Sequence, residues 1–251
     1  MKFGVLIPSD TEDTGKMELE NNNDIGEITI LKELKNVKVV FQLLESDGSL
    51  PVWSTEIPYH FIFDVKFDLT RKARLVAGGH CHKVVPPHLI YLSVASRESV
   101  CIGSLLAALN GLEISACDIG NAYLNAPNRG KVHMIVGEER FGAQHEVKRA
   151  VIVKALYGIK SARVACRAMF AHCIKHDFGY TPCISDQDVW MKPKIRPYGS
   201  KYNAYLIVYV DDVLSKDINP NETIASISNH FRIKEGSIRS SNIYIRANIK
   251  K

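Results

Sequence analysis

The chain has 251 residues and a net charge of +5, with 46% hydrophobic and 24% charged residues, which is an ordinary globular composition. No apolar run approaches the roughly 20 residues of a membrane-spanning helix, and acidic residues after the short apolar start argue against a signal peptide. Six cysteines without a C-x-x-C pair predict reduced thiols in an intracellular protein, cytoplasmic or nuclear and not secreted. The mild basic excess permits a polyanionic partner without requiring one.

The first sixty residues carry weaker patterns than the segment that follows them. Residues 1–28 are polar, and we expect a loose N-terminal tail there. Between residues 61 and 69 apolar and polar residues alternate, which predicts a half-buried strand. Residues 71–76 follow a short break and end at two glycines. They predict a returning strand, with basic side chains near the tip of the hairpin.

Helical and strand patterns alternate over the rest of the chain. Ser96 predicts a helix start, and Ile102, Leu105, Leu106 and Leu109 follow at helical spacing. A strand over 112–117 runs into Asp118. Residues 161–177 predict a helix, residues 205–210 a strand, and Asn219-Pro220 the start of a last helix with the stripe Ile224, Ile227 and Phe231. Because several strands are adjacent hairpins, the α+β class is favoured over a parallel α/β sheet.

Two aspartates follow the apolar strand in the sequence Tyr209-Val210-Asp211-Asp212. Ionised carboxylates are costly to bury, so a turn exposes them, and a divalent cation would relieve their repulsion. Taken alone, the pair is better explained by a plain structural turn than by a metal site. Asp118, which ends a second apolar strand, favours the metal site, because two adjacent strands would bring three carboxylates together. Such a set can hold two divalent ions for an in-line phosphoryl displacement.

The amino-acid sequences of eight segments resemble those of the reverse transcriptases of copia-type retrotransposons. The segments occur in the same order as in that family, from about residue 30 to the end. The segments are FDVK (63–66), RKARLVAGGH (71–80), SRESV (96–100), DIGNAYLNA (118–126), ALYGIKS (155–161), DVW (188–190), VYVDD (208–212) and FRIKEG (231–236). The resemblance implies fingers (55–92 and 127–160) and a palm (93–126 and 161–238) whose antiparallel sheet packs on helices. A thumb would only begin at 239–251 and would be largely missing.

The resemblance also implies an RNA-directed DNA polymerase, a nucleotidyltransferase that adds dNTPs to a primer 3′-hydroxyl. Asp118, Asp211 and the Ile119 carbonyl would bind two Mg²⁺ ions, with Mn²⁺ as a substitute, and Asp212 would support the site. Implied partners are an RNA template, a DNA or tRNA primer, dNTPs, and the integrase and RNase H of a Pol polyprotein, with no membrane. The nucleotide-binding residues it implies are Tyr123, Lys72, Arg74, Tyr157, Gly158 and Lys160.

For these nucleotide-binding residues, plainer structural readings stay open. Tyr123 would filter against a ribose 2′-hydroxyl or pack in the core. Lys72 and Arg74 would hold the triphosphate or form a solvated basic face, and the loop of Tyr157 and Lys160 would line the nucleotide or be a plain turn.

Several positions depart from the family pattern and predict a truncated or degenerate copy. Cys166 stands where a large ring is expected, Arg246 where a glycine is expected, and residues 213–217 turn polar early, which predicts a shortened second strand behind the aspartates. The alternative function is therefore an inactive remnant or a domesticated nucleic-acid-binding module.

Two groups of metal-ligand residue types lie outside the aspartates. Residues 80–82, His-Cys-His, lack zinc-finger spacing. His172 and His176 lie four residues apart beside Cys173, but without the glutamate of an H-E-x-x-H motif they predict a helix surface.

Overall fold

The computed structural model describes residues 1–44, 49–50, 52, 54–79, 94–128, 132–136, 148–240, 243–244 and 247–248. It confirms a mixed α+β chain with mainly antiparallel sheets. The chain divides into two compact units, Met1–Ile90 with Tyr123–Cys166 and Tyr91–Ala122 with Arg167–Lys251. No helix among the described residues is both long and apolar enough to cross a membrane. The five cysteines in that part of the chain are free thiols.

Helices and strands are numbered separately in chain order. The helices of the described residues are α1 (Thr11–Asn21), α2 (Ile25–Val37), α3 (Arg97–Leu109), α4 (Ala122–Asn125), α5 (Ala162–His176) and α6 (Pro220–Ser228), with a 3-10 turn at Lys38–Val40. The strands are β1 (Phe41–Leu43), β2 (Thr55–Glu56), β3 (Tyr59–Val65), β4 (Arg71–Ala77), β5 (Glu113–Asp118), β6 (Val132–Val136), β7 (Lys148–Ile152), β8 (Thr181–Pro182), β9 (Val189–Ile195), β10 (Lys201–Tyr209), β11 (Asp212–Asp217), β12 (Arg239–Ser240), β13 (Ile243–Tyr244) and β14 (Ala247–Asn248).

The first unit contains a four-stranded sheet in the order β1-β7-β6-β2 and the separate β3–β4 hairpin. The predicted hairpin is confirmed, with β3 and β4 paired from Tyr59–Ala77 to Val65–Arg71. The predicted first strand is too long, because the chain turns after Val65 and leaves Phe67 88% exposed. Aliphatic and aromatic side chains from both sheets form one core, which includes Phe61, Leu75 and Met134.

A helix occupies much of the segment that was expected to be a loose tail. Asp10 caps α1 by accepting from the Asp13 amide at 2.8 Å, which satisfies an otherwise unpaired helix N–H. Thr14 is buried, and a Cβ on Gly26 of α2 would lie 2.2 Å from its methyl group, so α1 and α2 approach closely there. Composition missed this helix because its stability comes from a cap and a neighbour rather than from an apolar stripe.

The second unit is built on a six-stranded sheet in the order β12-β5-β11-β10-β9-β8. Strand β11 lies inside the sheet between β5 and β10 and is antiparallel to both. Helix α6 packs on β5 and β11, and its predicted stripe is confirmed: Ile224, Ile227 and Phe231 are all buried. The sheet core includes Ile207, Leu214 and Ala116.

The predicted helix after Ser96 is confirmed as α3, but most of its large apolar residues do not form its buried face. Ile102, Leu105 and Leu109 are more than half exposed, whereas Gly103 and Ala107 are buried. The small residues face the sheet because a Cβ on Gly103 would lie 3.0 Å from Ile207 Cδ1, leaving no room for a larger side chain. The periodicity of the sequence identified the helix from its larger apolar side chains. Close packing against the sheet, however, buries the smaller ones.

The predicted shortening of the strand behind the aspartates is also wrong. All six residues of β11 pair with β5. Two of its buried polar side chains have partners in the fold. Lys216 Nζ donates to Val100 O at 3.2 Å and to Ser104 Oγ at 3.0 Å on α3, and Asp217 accepts from Lys194 and from Tyr202. The strand looks like a loop in sequence because these polar groups meet their partners only in the folded protein.

Candidate functional site

The two aspartates of the Tyr-Val-Asp-Asp segment lie at a tight turn between β10 and β11. Tyr209 pairs with Asp212, so the turn itself contains only Val210 and Asp211. Val210 has φ of 60°, in the left-handed region that β-branched residues rarely adopt. Two-residue hairpins favour positive φ at such positions, usually with glycine or asparagine. Val210 is therefore in a strained backbone conformation, and residues of this kind are common at functional sites.

The pairing of β5 with β11 brings a third carboxylate to this turn. Asp118 lies directly opposite Asp212 in the register, and the next residue, Ile119, donates its amide to the Asp211 carbonyl at 2.8 Å. The predicted sharing of one metal ion by Asp118 and Asp211 stays a prediction, and a side-chain hydrogen bond joins Asp118 to Asp212. The register decides this, because Asp211 is in the turn and Asp212 is the first paired residue.

The electrostatics of the pair follow from this contact. Burial, the hydrogen bond with Asp118 and the charges of Asp118 and Asp211 together raise the pKa of the Asp212 carboxyl to about 7. Burial also disfavours the ionised form of Asp118, but hydrogen bonds from Asp212 and Lys234 outweigh it and lower the pKa of that carboxyl. The two groups therefore share one proton near neutral pH. A divalent cation would replace that proton and satisfy both carboxylates.

A segment after α6 runs alongside the end of β5 and completes the cluster. Lys234 Nζ lies 2.9 Å from Asp118 Oδ2, and the Lys234 amide donates to the Asp118 carbonyl at 3.0 Å. Ser237 Oγ accepts from the Asp118 amide at 3.1 Å. Gly120 fits because a Cβ there would lie 3.3 Å from the Arg232 carbonyl. The Lys234 side chain is 56% exposed, and its ion pair with Asp118 is not apparent from the sequence.

The predicted nucleotide-binding residues belong to the first unit, and the three aspartates belong to the second. The rings of Tyr123 and Tyr157 meet edge to face with centroids 5.2 Å apart, and the Arg74 guanidinium lies 5.1 Å from the Tyr157 ring. Lys72 is half-buried on β4, opposite Asp64. Lys160 is exposed at the end of the same loop as Tyr157.

Gly158 fixes the position of that loop against β4. Its φ is +89°, and a Cβ there would lie 1.9 Å from the Ala77 carbonyl oxygen. The Tyr157 carbonyl accepts from the Ala77 amide at 2.7 Å. Glycine is therefore required by both the backbone conformation and the close approach. The His-Cys-His segment at 80–82 and Arg246 lie outside the described residues.

The donor set of the carboxylate site suits a hard cation. Three aspartates at one turn offer only oxygen ligands, which magnesium and manganese prefer. Asp118 and Asp212 are half-buried, so the low-dielectric surroundings strengthen their attraction for a cation.

Comparisons with known proteins assign no family to the chain. No protein-family model matches it, and no curated protein matches it. Among solved structures, it is similar to a chain in the structure of telomerase from Candida albicans in complex with a fragment of telomeric RNA, at 10% identity and a TM-score of 0.47. The match covers 84% of this chain and 45% of that one, so this chain spans less than half of its length. A likeness of this size defines neither a family nor an activity.

Proposed function

We propose that the chain is the fingers-and-palm core of a copia-type reverse transcriptase, which adds dNTPs to a primer 3′-hydroxyl on an RNA template. The observation that carries the proposal is the cluster of Asp118, Asp211 and Asp212, which two adjacent strands and one turn create from distant parts of the chain. The second support is the resemblance of eight segments, among them those that contain these aspartates and the first unit's Tyr157 loop.

In this proposal the carboxylates, with the Ile119 carbonyl, are the ligands of two Mg²⁺ ions, for which Mn²⁺ can substitute. When bound, such ions lower the pKa of the attacking hydroxyl and neutralise charge on the leaving pyrophosphate. Asp118 and Asp211 supply the negative charge that holds the cations. Asp212 gives up its proton on binding and adds a third carboxylate. The strained Val210 turn presents the two aspartates at the end of a rigid hairpin rather than on a mobile loop.

The first unit supplies the nucleotide contacts in this proposal. Lys72 and Arg74 bind the triphosphate, and stacking on Tyr157 holds the Arg74 guanidinium in one orientation before a nucleotide arrives. Tyr123 packs against Tyr157 and closes the sugar pocket to a 2′-hydroxyl. Gly158 lets the loop approach β4, and Lys160 binds the template strand.

A second candidate is an inactive nucleic-acid-binding module. The observation that favours it is the Lys234 ammonium on Asp118 Oδ2 at 2.9 Å, where a metal ligand is required. The Lys234 ammonium is itself positively charged, so it can take the place of a metal ion at Asp118 instead of being displaced by one. Because the Lys234 side chain is 56% exposed, its ion pair with Asp118 contributes little free energy. In the first proposal Mg²⁺ therefore displaces the ammonium. The complete β11 removes one sequence argument for a degenerate site.

Primer extension distinguishes the two candidates. The purified full chain is incubated with a poly(rA) template, an oligo(dT) primer, dTTP and Mg²⁺, and product length is measured. We expect extension by the wild type and background levels with Asp118→Asn and Asp211→Asn, because each removes a cation ligand. Asp24→Asn, an exposed aspartate outside the site, is the matched control and keeps full extension.

Binding of the same hybrid, measured by fluorescence anisotropy, completes the test. Extension that survives Asp118→Asn contradicts the polymerase proposal. A folded wild type that binds the hybrid but extends it with neither Mg²⁺ nor Mn²⁺ supports the module instead.

A further inference from the structure

A cysteine, an aspartate and a histidine that take no part in the aspartate cluster meet on the second unit. Cys173 is near the end of α5, Asp177 follows that helix, and His230 follows α6. Their sulfur, carboxylate and imidazole atoms all lie within 4.8 Å of one another. His230 Nδ1 is 3.8 Å from Asp177 Oδ2.

The backbone holds Cys173 and Asp177 in this arrangement. They are one helical turn apart, so their side chains share a face of α5. The helix ends in a closed turn: the Asp177 amide donates to the Cys173 carbonyl at 2.9 Å, and the Tyr180 amide donates to the Ile174 carbonyl at 3.1 Å. Gly179 makes the turn possible with φ of +70°. The spacing of these two ligands is therefore set before any ion arrives.

His230 is fixed independently. Its amide donates to the Ile227 carbonyl at 3.0 Å, which continues the backbone of α6 by one residue beyond its last turn. Its ring meets the Phe178 ring edge to face, with centroids 5.4 Å apart. Phe178 directly follows Asp177, so the contact that orients the imidazole also ties it to the cysteine and aspartate.

The burial of the three groups matches a site that opens to solvent on one side. Cys173 is 5% exposed, whereas the side chains of Asp177 and His230 are each 43% exposed. The sulfur forms the floor and the other two form the rim. Cysteine, histidine and carboxylate together are the ligand types of zinc, while magnesium and calcium avoid sulfur. The C-terminal end of a 15-residue helix also favours a positive charge.

We propose that Cys173, Asp177 and His230 bind one Zn²⁺ ion, with solvent as the fourth ligand, and that the ion ties the end of α5 to the segment after α6. Binding releases the thiol proton to solvent and leaves the thiolate as the ligand. The site neither requires nor implies polymerase activity. His172 and His176 are exposed on α5, as predicted, and their tilted rings contact each other with centroids 4.5 Å apart.

Cobalt tests the site because a thiolate–cobalt bond absorbs in the near ultraviolet, which carboxylate and imidazole ligands alone do not produce. The reduced full chain is titrated with Co²⁺, and we expect a charge-transfer band that saturates at one ion per chain and disappears when Zn²⁺ is added. Cys173→Ser removes the band. His230→Gln moves saturation to higher Co²⁺ concentration, and because its side chain is partly exposed, the variant keeps the fold.

Matched control variants test whether the absorption band comes from this site and not from other cysteines or histidines. Cys183→Ser, at a cysteine that contacts Ser185 instead, and His172→Gln both keep the wild-type band. Asp118→Asn also keeps it, so the result stands whether or not the chain is a polymerase. Circular dichroism confirms that each variant is folded. A folded wild type without the band, an unchanged titration in His230→Gln, or loss of the band in Cys183→Ser overturns the proposal.

Discussion

Replacing Lys216 by methionine tests how the central sheet tolerates a buried ammonium. None of this side chain is exposed, and among the described residues no carboxylate forms an ion pair with it. It donates to Val100 O and Ser104 Oγ, and Gly103 leaves the space that its Nζ occupies. Burial lowers the pKa of the Lys216 ammonium from 10.5 to about 7.

The size and sign of the effect follow from that pKa. At 1.36 kcal/mol per pH unit, the shift corresponds to a cost of about 5 kcal/mol for burying the charged form. Below pH 7 both the folded and the unfolded chain carry the proton, so the full cost applies. Between about pH 7 and 10.5 only the unfolded chain keeps it, so this residue makes the free energy of unfolding rise with pH over that range.

Lys216→Met removes the charge and keeps the volume. Two hydrogen bonds are lost, but Ser104 Oγ still donates to Val100 O at 2.8 Å, so no polar group is left alone. We expect a net gain of about 2–4 kcal/mol at pH 6, within the range measured when buried charges are replaced by apolar residues. That gain raises the melting temperature by about 5–10 °C. The gain shrinks as pH rises toward 10.

Thermal unfolding followed by circular dichroism at pH 6, 8 and 10 measures this directly. Lys201→Met, at an exposed lysine of β10, is the control and leaves the pH dependence of the wild type unchanged. Equal slopes of melting temperature against pH in the wild type and Lys216→Met would refute the argument, because they would mean that Lys216 titrates alike in both states.

Two further substitutions, one in each unit, test a close backbone contact and a buried ion pair, and a third substitution is the control for the first. Gly158→Ala forces a Cβ to 1.9 Å from the Ala77 carbonyl, and we expect a loss of about 3 kcal/mol or more in urea unfolding. Gly199→Ala, at φ of +86° but in open space, loses only about 1 kcal/mol; equal losses would show that backbone conformation alone matters. Asp217→Ala leaves Lys194 without its buried partner and should lower the free energy of unfolding by about 3 kcal/mol, whereas a loss below 1 kcal/mol would mean that water replaces the pair.

Local sequence patterns predicted the helices and strands that are defined by residues close together in the sequence. The β3–β4 hairpin followed from alternation between residues 61 and 76, and α6 followed from a cap and an apolar stripe. These features are visible in sequence because period and turn chemistry are local.

Features that depend on partners distant in sequence were missed or misassigned. The buried face of α3 is set by the close approach of Gly103 to β11, and the polar end of β11 is stable because Asp217 meets Lys194 and Tyr202. The choice of Asp212 as the neighbour of Asp118 depends on strand register, which composition does not encode. His230 joins Cys173 only through the fold.

Binding of Mn²⁺ to the aspartates tests the central claim most directly, because manganese reports on oxygen ligands through its electron paramagnetic resonance signal. Free Mn²⁺ is measured as the full chain is added, for the wild type, Asp118→Asn and Asp212→Asn. We expect that the wild type removes free Mn²⁺, that Mg²⁺ competes for the same site, and that both variants lose this binding. If Asp118→Asn binds Mn²⁺ as the wild type does, the aspartates of β5 and β11 do not share a cation and the proposed metal site is wrong.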